Sequence, residues 1–574
     1  MEWLDRDYDA IVIGGGPGGA TTAITLAQRG HRVVVFEAAR FPRHHVGESL
    51  VYLWPVFELL GVAEVLDRTF VHKRGASRLW GREPQLWTVR FDTAPEVRDY
   101  SLLVHRATFD KILLDHARAV GATVCEGHRV TAVHWERGRP RAVSYRSDQG
   151  DEGTVRAPFV VDASGRTRLL ARQLKLLEPE SFCPDVALYG YYREAARLPG
   201  EDAGNVLIEA IPAGWAWYIP LHTGEVSVGV SIAHEAQEHM RRQGWRQFFY
   251  DQVAQTQQMR VMLRGATLVQ GPIVGPCAGY RARRYTGPGW LLVGDAGHFL
   301  DPLWSSGVGI AVFTGLRAGL SIDAALRGTL PERVALDYHE RRFRQRVNGL
   351  DWLIKVFYHN NRLFPDAPFW QRCRRWAGAN RIPAGLRARL GADPSLGYYI
   401  EVLRRMGATN GRGQPLFHDV EMPRDRRDRL DWRTFLGSAL RPAPGVRLTR
   451  APVLHGSGLI ETWVLRLPAH GGDIPLPDTI GLDWPRALAR LAAGEPVGAV
   501  VEQPQPADPT SAQRHVRQTN TLLDLYLQGF LSIVPPKGSP IRVTHSSQER
   551  ASAACLSEPR RSLSLPPSLE GRGA

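Results

Sequence analysis

The chain opens on a change of period. In "DAIVIGGGPGGATTAITLAQRGHRVVVFEAA", residues 9–39, an unbroken apolar run meets a cluster of glycines, passes into an Ala- and Thr-rich stretch and returns to a second apolar run. Short continuous apolar runs predict buried strands. The compact stretch between them predicts a helix that Gly30 ends. "YSLLVHRATFDKILLDHARAVGATVCEGHRV" predicts a helix from about Thr108 to Val120 and then a strand. "FVVDASGRTRLLARQL" predicts a buried strand, a turn and a helix start, and "WLLVGDAGHFLDPLWSSGVGIAVFTGLRAGLSIDAAL" predicts strand, loop and a long helix. Between about Pro184 and Pro276 the pattern shifts to period two, as in "VSVGVSI", which predicts an antiparallel sheet.

After about Gln345 the pattern changes again. Helical segments give way to Pro-rich loops around "RPAPGVRLTRAPVLHGSG", and "DWPRALARLAAG" predicts a helix starting at Asp483. From Pro535 the composition turns to Ser, Pro, Arg and Gly, which predicts a disordered tail. The expected organisation is an α/β domain over 1–345 with the inserted sheet at 184–276, a mainly helical C-terminal domain over 346–534, and the tail over 535–574. There is no internal repeat.

Composition narrows the classes. A chain of 574 residues can hold two or three domains with sizeable cores. Its first residues, "MEWLDRDYDAIVIGGG", carry acids and lack a basic leader region, so no signal peptide is expected. No apolar run reaches the length of a membrane span. Cys125, Cys183, Cys277, Cys373 and Cys555 form no CxxC pair, so neither a metal site nor a disulfide framework is expected. These features point to a reduced, cytoplasmic enzyme. The net charge of +14 could steer an acidic partner, such as a nucleic acid or a carrier protein. No nucleic-acid-binding motif accompanies it, so no nucleic-acid partner is expected.

The first chemical motif is "GGGPGG". Gly14, Gly16 and Gly19 form G-x-G-x-x-G between a strand and a helix, with Gly15 and Gly18 among them. Glycines let the backbone approach a pyrophosphate, whose charge then lies at the helix N-terminus. Glu37 ends the next predicted strand, where an acid can hydrogen-bond a ribose.

Which dinucleotide binds is decided by two further segments. "VVDASGR" and "LLVGDAGHFLDP" resemble segments of the para-hydroxybenzoate hydroxylase-like flavoproteins. The resemblance implies an FAD-binding Rossmann-like domain in which Asp295 binds the ribityl chain and Arg106, in "HRATFD", contacts FAD. It also implies that the helix opening at Gly307 and Val308 points its positive end at the isoalloxazine. "FPRHHVGESL", containing Glu48, resembles the flavin-edge segment shared by flavin-dependent halogenases and geranylgeranyl-type reductases.

Three stretches single out the halogenases. "WAWYIP" matches their W-x-W-x-I-P motif and places Trp215 and Trp217 on one face of a strand. There the resemblance implies an indole wall that keeps substrate from the flavin and blocks direct oxygen transfer. "FVHKRGASRLWG" resembles the stretch that carries their catalytic lysine, which falls on Lys73. A lysine is usually a solvated charge, but this chain has 5 Lys against 67 Arg. A guanidinium cannot give up its proton, whereas a buried amine can, so a retained Lys is informative. "DPLWSSGVGI" resembles the chloride-binding segment, with the backbone amides of Ser306 and Gly307 forming a small anion nest. Tryptophan halogenases carry Glu two residues before the position of Ser306, and here that position is Trp304. The expectation is therefore a chain unlike them and closer to halogenases of the chloramphenicol-pathway, carrier-protein-substrate or phenolic types.

The resemblance implies that a partner flavin reductase supplies reduced FAD, and that O2 and chloride or bromide yield hypohalous acid. That acid passes Trp215 and Trp217 to Lys73, where an electron-rich aromatic or enolisable acyl substrate, free or carrier-bound, is halogenated in secondary metabolism. A single G-x-G-x-x-G, with no second nucleotide site, agrees with a separate reductase. The rival readings are an FAD-dependent monooxygenase or geranylgeranyl-reductase-like oxidoreductase, which needs neither Lys73 nor the paired indoles, and a non-catalytic flavin-bearing scaffold.

Overall fold

A computed structural model describes residues 7–91, 98–180, 182, 186–376, 394–409, 416, 439–442, 446–455, 458–467, 472–476, 482–501 and scattered positions from 511 to 534. The expected tail over 535–574 lies outside these residues, as do Cys183 and Cys555.

The first strand, Ala10–Ile13, lies inside a six-stranded sheet between Phe159–Asp162 and Val33–Glu37. Trp290–Leu292 and Thr123–Glu126 extend it on either side, both in parallel. Strands covered on both faces cannot alternate, which is why "AIVI" and "VVVFE" are apolar almost throughout and fully buried. Helix Pro17–Ala27 packs along helix Gly307–Leu326 at glycine range. A Cβ at Gly315 would lie 2.3 Å from the Gly18 carbonyl oxygen, and one at Gly319 would lie 2.7 Å from Thr25 Cβ. This contact brings the N-termini of the two helices together.

Gly307–Leu326 is also long and apolar enough to cross a membrane by length and composition, although no uninterrupted apolar run announced it. It is 78% buried between its neighbours, as a core helix would be.

The inserted sheet has seven strands and is wider than residues 184–276. Its order is Thr267–Pro276, Val186–Arg193, Val226–Ile232, Gly214–Pro220, Val206–Ile211, Gly75–Leu79 and Leu86–Arg90. All its pairs are antiparallel except Val206–Ile211 with Gly75–Leu79, which run parallel. The strand just after Lys73 therefore belongs to the same sheet as the tryptophans. Alternation sorts its two faces. Ala216 and Tyr218 pack on Phe248, Phe249, Met259 and Met262, whereas Trp215, Trp217 and Ile219 join the main core.

Helix Glu332–His359 runs through residue 345, so the change in composition there falls inside one element. The helix delivers Trp352, Phe357 and Tyr358 to the core that contains the tryptophans. Past residue 438 the described elements include the strands Ala439–Pro442, Arg447–His455, Gly458–Leu467, Gly472–Pro475 and Leu531–Val534 as well as helices. Helix Trp484–Ala492 starts where its sequence predicts, with the Asp483 carboxylate accepting from the Arg486 amide at 3.2 Å.

Candidate active site

The glycine turn is held by close approaches. Gly14 has φ +104°, and a Cβ there would lie 2.4 Å from the Ala163 carbonyl oxygen. A Cβ on Gly19 would lie 1.9 Å from the Gly14 oxygen, and one on Gly18 would lie 2.6 Å from Val293 Cγ1. Gly15 donates to the Glu37 carboxylate at 2.7 Å, and Ala39 donates to its other oxygen at 2.8 Å. Glu37 thus braces the turn as well as ending the strand. Gly16 caps the helix with no side chain, leaving its first amides open to an anion. Arg43 Nη2 reaches Gly16, 3.3 Å from where a Cβ would sit.

Asp295 is partly buried and makes no side-chain hydrogen bond among the described residues. Burial pushes its carboxyl up to about 6, against the pull of Arg166 and Arg106. The open helix start and Arg43 fit a pyrophosphate, and the unbonded carboxyl fits the hydroxyls of a ribityl chain. The residues present therefore suit FAD.

Segment 41–53 is the hub of the site. Arg106 is buried and grips the Asp110 carboxylate with Nε and Nη2, at 2.8 and 2.9 Å, while Nη1 donates to the Val46 carbonyl at 3.1 Å. It thereby positions the hub. Glu48, 1% exposed, accepts from Tyr191 Oη at 2.7 Å and from the Gly47 amide at 3.0 Å. Burial raises its pKa, and those two donors pull the other way. His44 lies 3.0 Å from Tyr189 Oη. Gly309, in the first turn of its helix, meets Val51, whose Cγ2 would be 2.6 Å from a Cβ there.

Lys73 reaches the same hub. Its strand, Val71–Lys73, pairs with Ser101–Leu103. The amine is 4% exposed, donates to Ser49 Oγ at 3.1 Å and to the Leu50 carbonyl, and lies 5.4 Å from the Phe91 ring centre. Burial first, and the nearby Arg78 second, lower its pKa to about 7. An amine so placed is neutral in a large fraction of molecules near neutrality.

Trp215 and Trp217 are 3% and 6% exposed, with ring centres 5.6 Å apart. Trp217 stands in register with Gly229, and its indole occupies the space that a side chain there would need: a Cβ would lie 2.2 Å from Trp217 Cζ2. Trp217 Nε1 donates to Ser227 Oγ at 3.3 Å, and its ring is 6.4 Å from that of Tyr189. The indoles therefore connect to the hub through Tyr189 and His44.

At the other end of the hub, Ser305 is left-handed (φ +54°) and Ser306 right-handed (φ −86°). Successive residues of opposite hand turn their amides toward one point, as an anion nest does. The Ser305 amide is spent on Pro302, whereas the amides of Ser306 and Gly307 open the helix that Val308 continues. Ser306 is buried, and its Oγ has no partner among the described residues. A side chain at Gly307 would meet open space. Asp301 caps the preceding turn through the Leu303 amide at 2.8 Å and accepts from Tyr358 at 2.8 Å, tying this loop to helix Glu332–His359.

The structure thus gathers Arg106, Glu48, Lys73 and the Gly307 helix around one segment, with the glycine turn on one side and the indoles on the other. Arg43, Tyr189 and Tyr191 went unread in the sequence. Arg43 sits inside the quoted hub segment, where its charge beside a glycine turn was the available signal. The tyrosines carried none beyond strand alternation.

A glycine turn, an uncapped helix start and a partly buried acid with no side-chain hydrogen bond among the described residues fit an FAD-dependent oxidoreductase. The FAD binding domain family matches residues 7–349. A tryptophan 2-halogenase of Chondromyces crocatus is 34% identical over 366 residues, covering 62% of this chain and 69% of that protein. The structure of the myxobacterial chondrochloren halogenase CndH matches with TM-score 0.61 at 35% identity, covering 64% of this chain and 86% of that one. That of CmlS, a flavin-dependent halogenase, matches with TM-score 0.71 at 25% identity, covering 93% and 97%. The chain belongs to the flavin-dependent halogenases and is an FAD-dependent enzyme of that family.

Proposed function

We propose that this enzyme halogenates an electron-rich aromatic or enolisable acyl substrate, using hypohalous acid made from chloride or bromide and relayed to Lys73. Bound FAD, reduced by a partner reductase, supplies the oxidising power with O2. The chain's own residues supply placement. The Ser306 and Gly307 amides hold the halide at a positive helix end. Trp215 and Trp217 wall the substrate off from the flavin side. Lys73 presents a neutral amine that can bond hypohalous acid or carry its halogen to a substrate carbon, and Ser49 and Leu50 fix its position. Helix Glu332–His359 covers the substrate side.

The observation that carries this reading is the burial of Lys73 on the hub, where desolvation lowers its pKa to about 7. A hydroxylase or reductase on the same fold has no use for such an amine. Mass spectrometry with reduced FAD, O2 and halide over free and carrier-bound acids tests the reading. The expected product is halogenated, vanishes in Lys73→Ala and depends on halide. A hydroxylated or saturated product formed without halide dependence returns the chain to the monooxygenase or reductase reading. The name of the Chondromyces relative keeps free tryptophan among the first substrates to try, against the expectation drawn from Trp304.

A further inference from the structure

Arg78 is 3% exposed, and its position in the sheet is determined by register. Arg78 pairs with Ile208, Ile208 with Trp217, Trp217 with Gly229, and Gly229 with Tyr189, so all five stand in one cross-strand row. With strands about 4.8 Å apart, Arg78 is about 10 Å from Trp217 along that row, on the same face.

The guanidinium has two hydrogen bonds, from Nη1 to the Ala76 carbonyl and from Nη2 to Tyr398 Oη, each 3.0 Å. Around it lie the rings of Trp87, Trp304, Tyr398 and Phe357, with centres 5.4 to 5.9 Å away. It forms no ion pair among the described residues. Arg106, equally buried, shows the usual solution, with Asp110 taking its charge. A guanidinium cannot shed its proton, and an ion held in a dry site without a counter-charge is costly. Cation–π contact offsets part of that cost and leaves the remaining N–H donors unmet. The Trp304 indole, with its ring centre 5.6 Å away, supplies no counter-charge.

The ring pair Phe91 and Tyr398, with centres 4.7 Å apart, joins this cation to Lys73: one ring lies under the amine, and the other bonds the guanidinium. Flat aromatic surface therefore runs from an unmet planar cation to the amine that delivers halogen.

We propose that Arg78 receives a carboxylate of the substrate, so that the enzyme acts on an electron-rich aromatic acid whose carboxylate is free, in preference to a carrier-bound thioester. This deepens the halogenation reading and rests on it. A planar fork of N–H donors matches a carboxylate in two parallel bonds, and a thioester presents no such anion.

The test uses FAD-loaded enzyme and para-hydroxybenzoate, para-hydroxyphenylacetate, para-coumarate and tryptophan, each against its own carboxamide, with affinity read by calorimetry. At least one acid should bind about tenfold or more tightly than its amide. Arg78→Met should erase that preference while leaving the amide's affinity unchanged. Should Arg78→Met fail to retain FAD, Arg78→Lys carries the test: it keeps the charge, loses the fork, and should shrink the preference. Acids and amides that bind alike, no binding by any acid, or a preference that survives both variants overturns the proposal. A purely structural Arg78 would change melting temperature and leave acid-over-amide selectivity untouched. Halogenation of acids and amides alike strikes down this inference alone. Acid preference without any halogenated product strikes down the halogenation reading alone.

Discussion

The amine of Lys73 lies 3.1 Å from the hydroxyl of Ser49 and also donates to the next residue's carbonyl. These residues come from different strands and loops, and at their meeting the amine is buried, so that desolvation first and Arg78 second lower its pKa to about 7. If a neutral amine handles the halogen, halogenation should rise with pH through an apparent pKa of about 7. Lys73→Ala should bind FAD normally and lose product by about a hundredfold or more. Lys73→Arg should be equally inactive, because a guanidinium stays charged. Product formation at a wild-type rate by either variant would remove Lys73 from the mechanism.

The same group makes stability depend on pH. Its pKa is about 7 when folded and near 10.5 when exposed. Below about pH 7 it is charged in both states, and the full cost of burying it is present. Between those values the unfolded chain holds the extra proton, so stability rises with pH by at most about 1.4 kcal/mol per unit. Lys73→Met should flatten this slope and gain most over the wild type at low pH. Denaturant titrations at several pH values measure it, and parallel curves for the two proteins would contradict the assignment.

Gly19→Ala should abolish FAD retention, because its methyl would fall 1.9 Å from the Gly14 carbonyl oxygen and force the turn open. The flavin absorbance of purified protein reads this directly. A yellow Gly19→Ala protein would show that the turn tolerates displacement.

Ser306→Ala removes a buried hydroxyl that bonds to nothing among the described residues. Stability should hold or improve slightly, since no hydrogen bond is lost. If the hydroxyl faces the halide, the halide KM should rise several-fold with FAD affinity unchanged. A halide KM equal to the wild type's would leave the work to the backbone amides alone.

Gly229→Ala should cost about 1–3 kcal/mol, because its methyl collides with Trp217. Adding Trp217→Leu should recover part of that loss, because the smaller side chain vacates the space. Strictly additive melting shifts in the double variant would mean that the two positions do not touch.

Much of the cofactor half was legible locally. A strand, a glycine turn and a helix are contiguous in residues 10–27, and the steric need for Gly14 and Gly19 arises from the turn itself. Lys73, Trp215, Trp217 and Ser306 were picked out by resemblance to the halogenases, and the family itself is matched over most of the first 349 residues. The extent of the inserted sheet was not, because Gly75–Leu79 joins it through a parallel pairing with a strand more than a hundred residues later. Local pattern carries no trace of such a partner. The composition change at 345 marks no element boundary, for a related reason. Helix Glu332–His359 continues through the composition change at 345 because its apolar face still has the sheet core to bury against.

By itself the sequence determined a dinucleotide-binding turn at residues 14–19, since strand, turn and helix are contiguous there, whereas FAD and the residues that could handle a halogen came from resemblance to a known family. Only the tertiary structure decided that Lys73 is buried with its pKa lowered, that segment 41–53 links Arg106 and Lys73 to the indoles, and that Arg78 stands buried without an ion pair among the described residues. A pKa and an unmet charge depend on which groups exclude water and which counter-charges are missing, and those are set by contacts between distant parts of the chain.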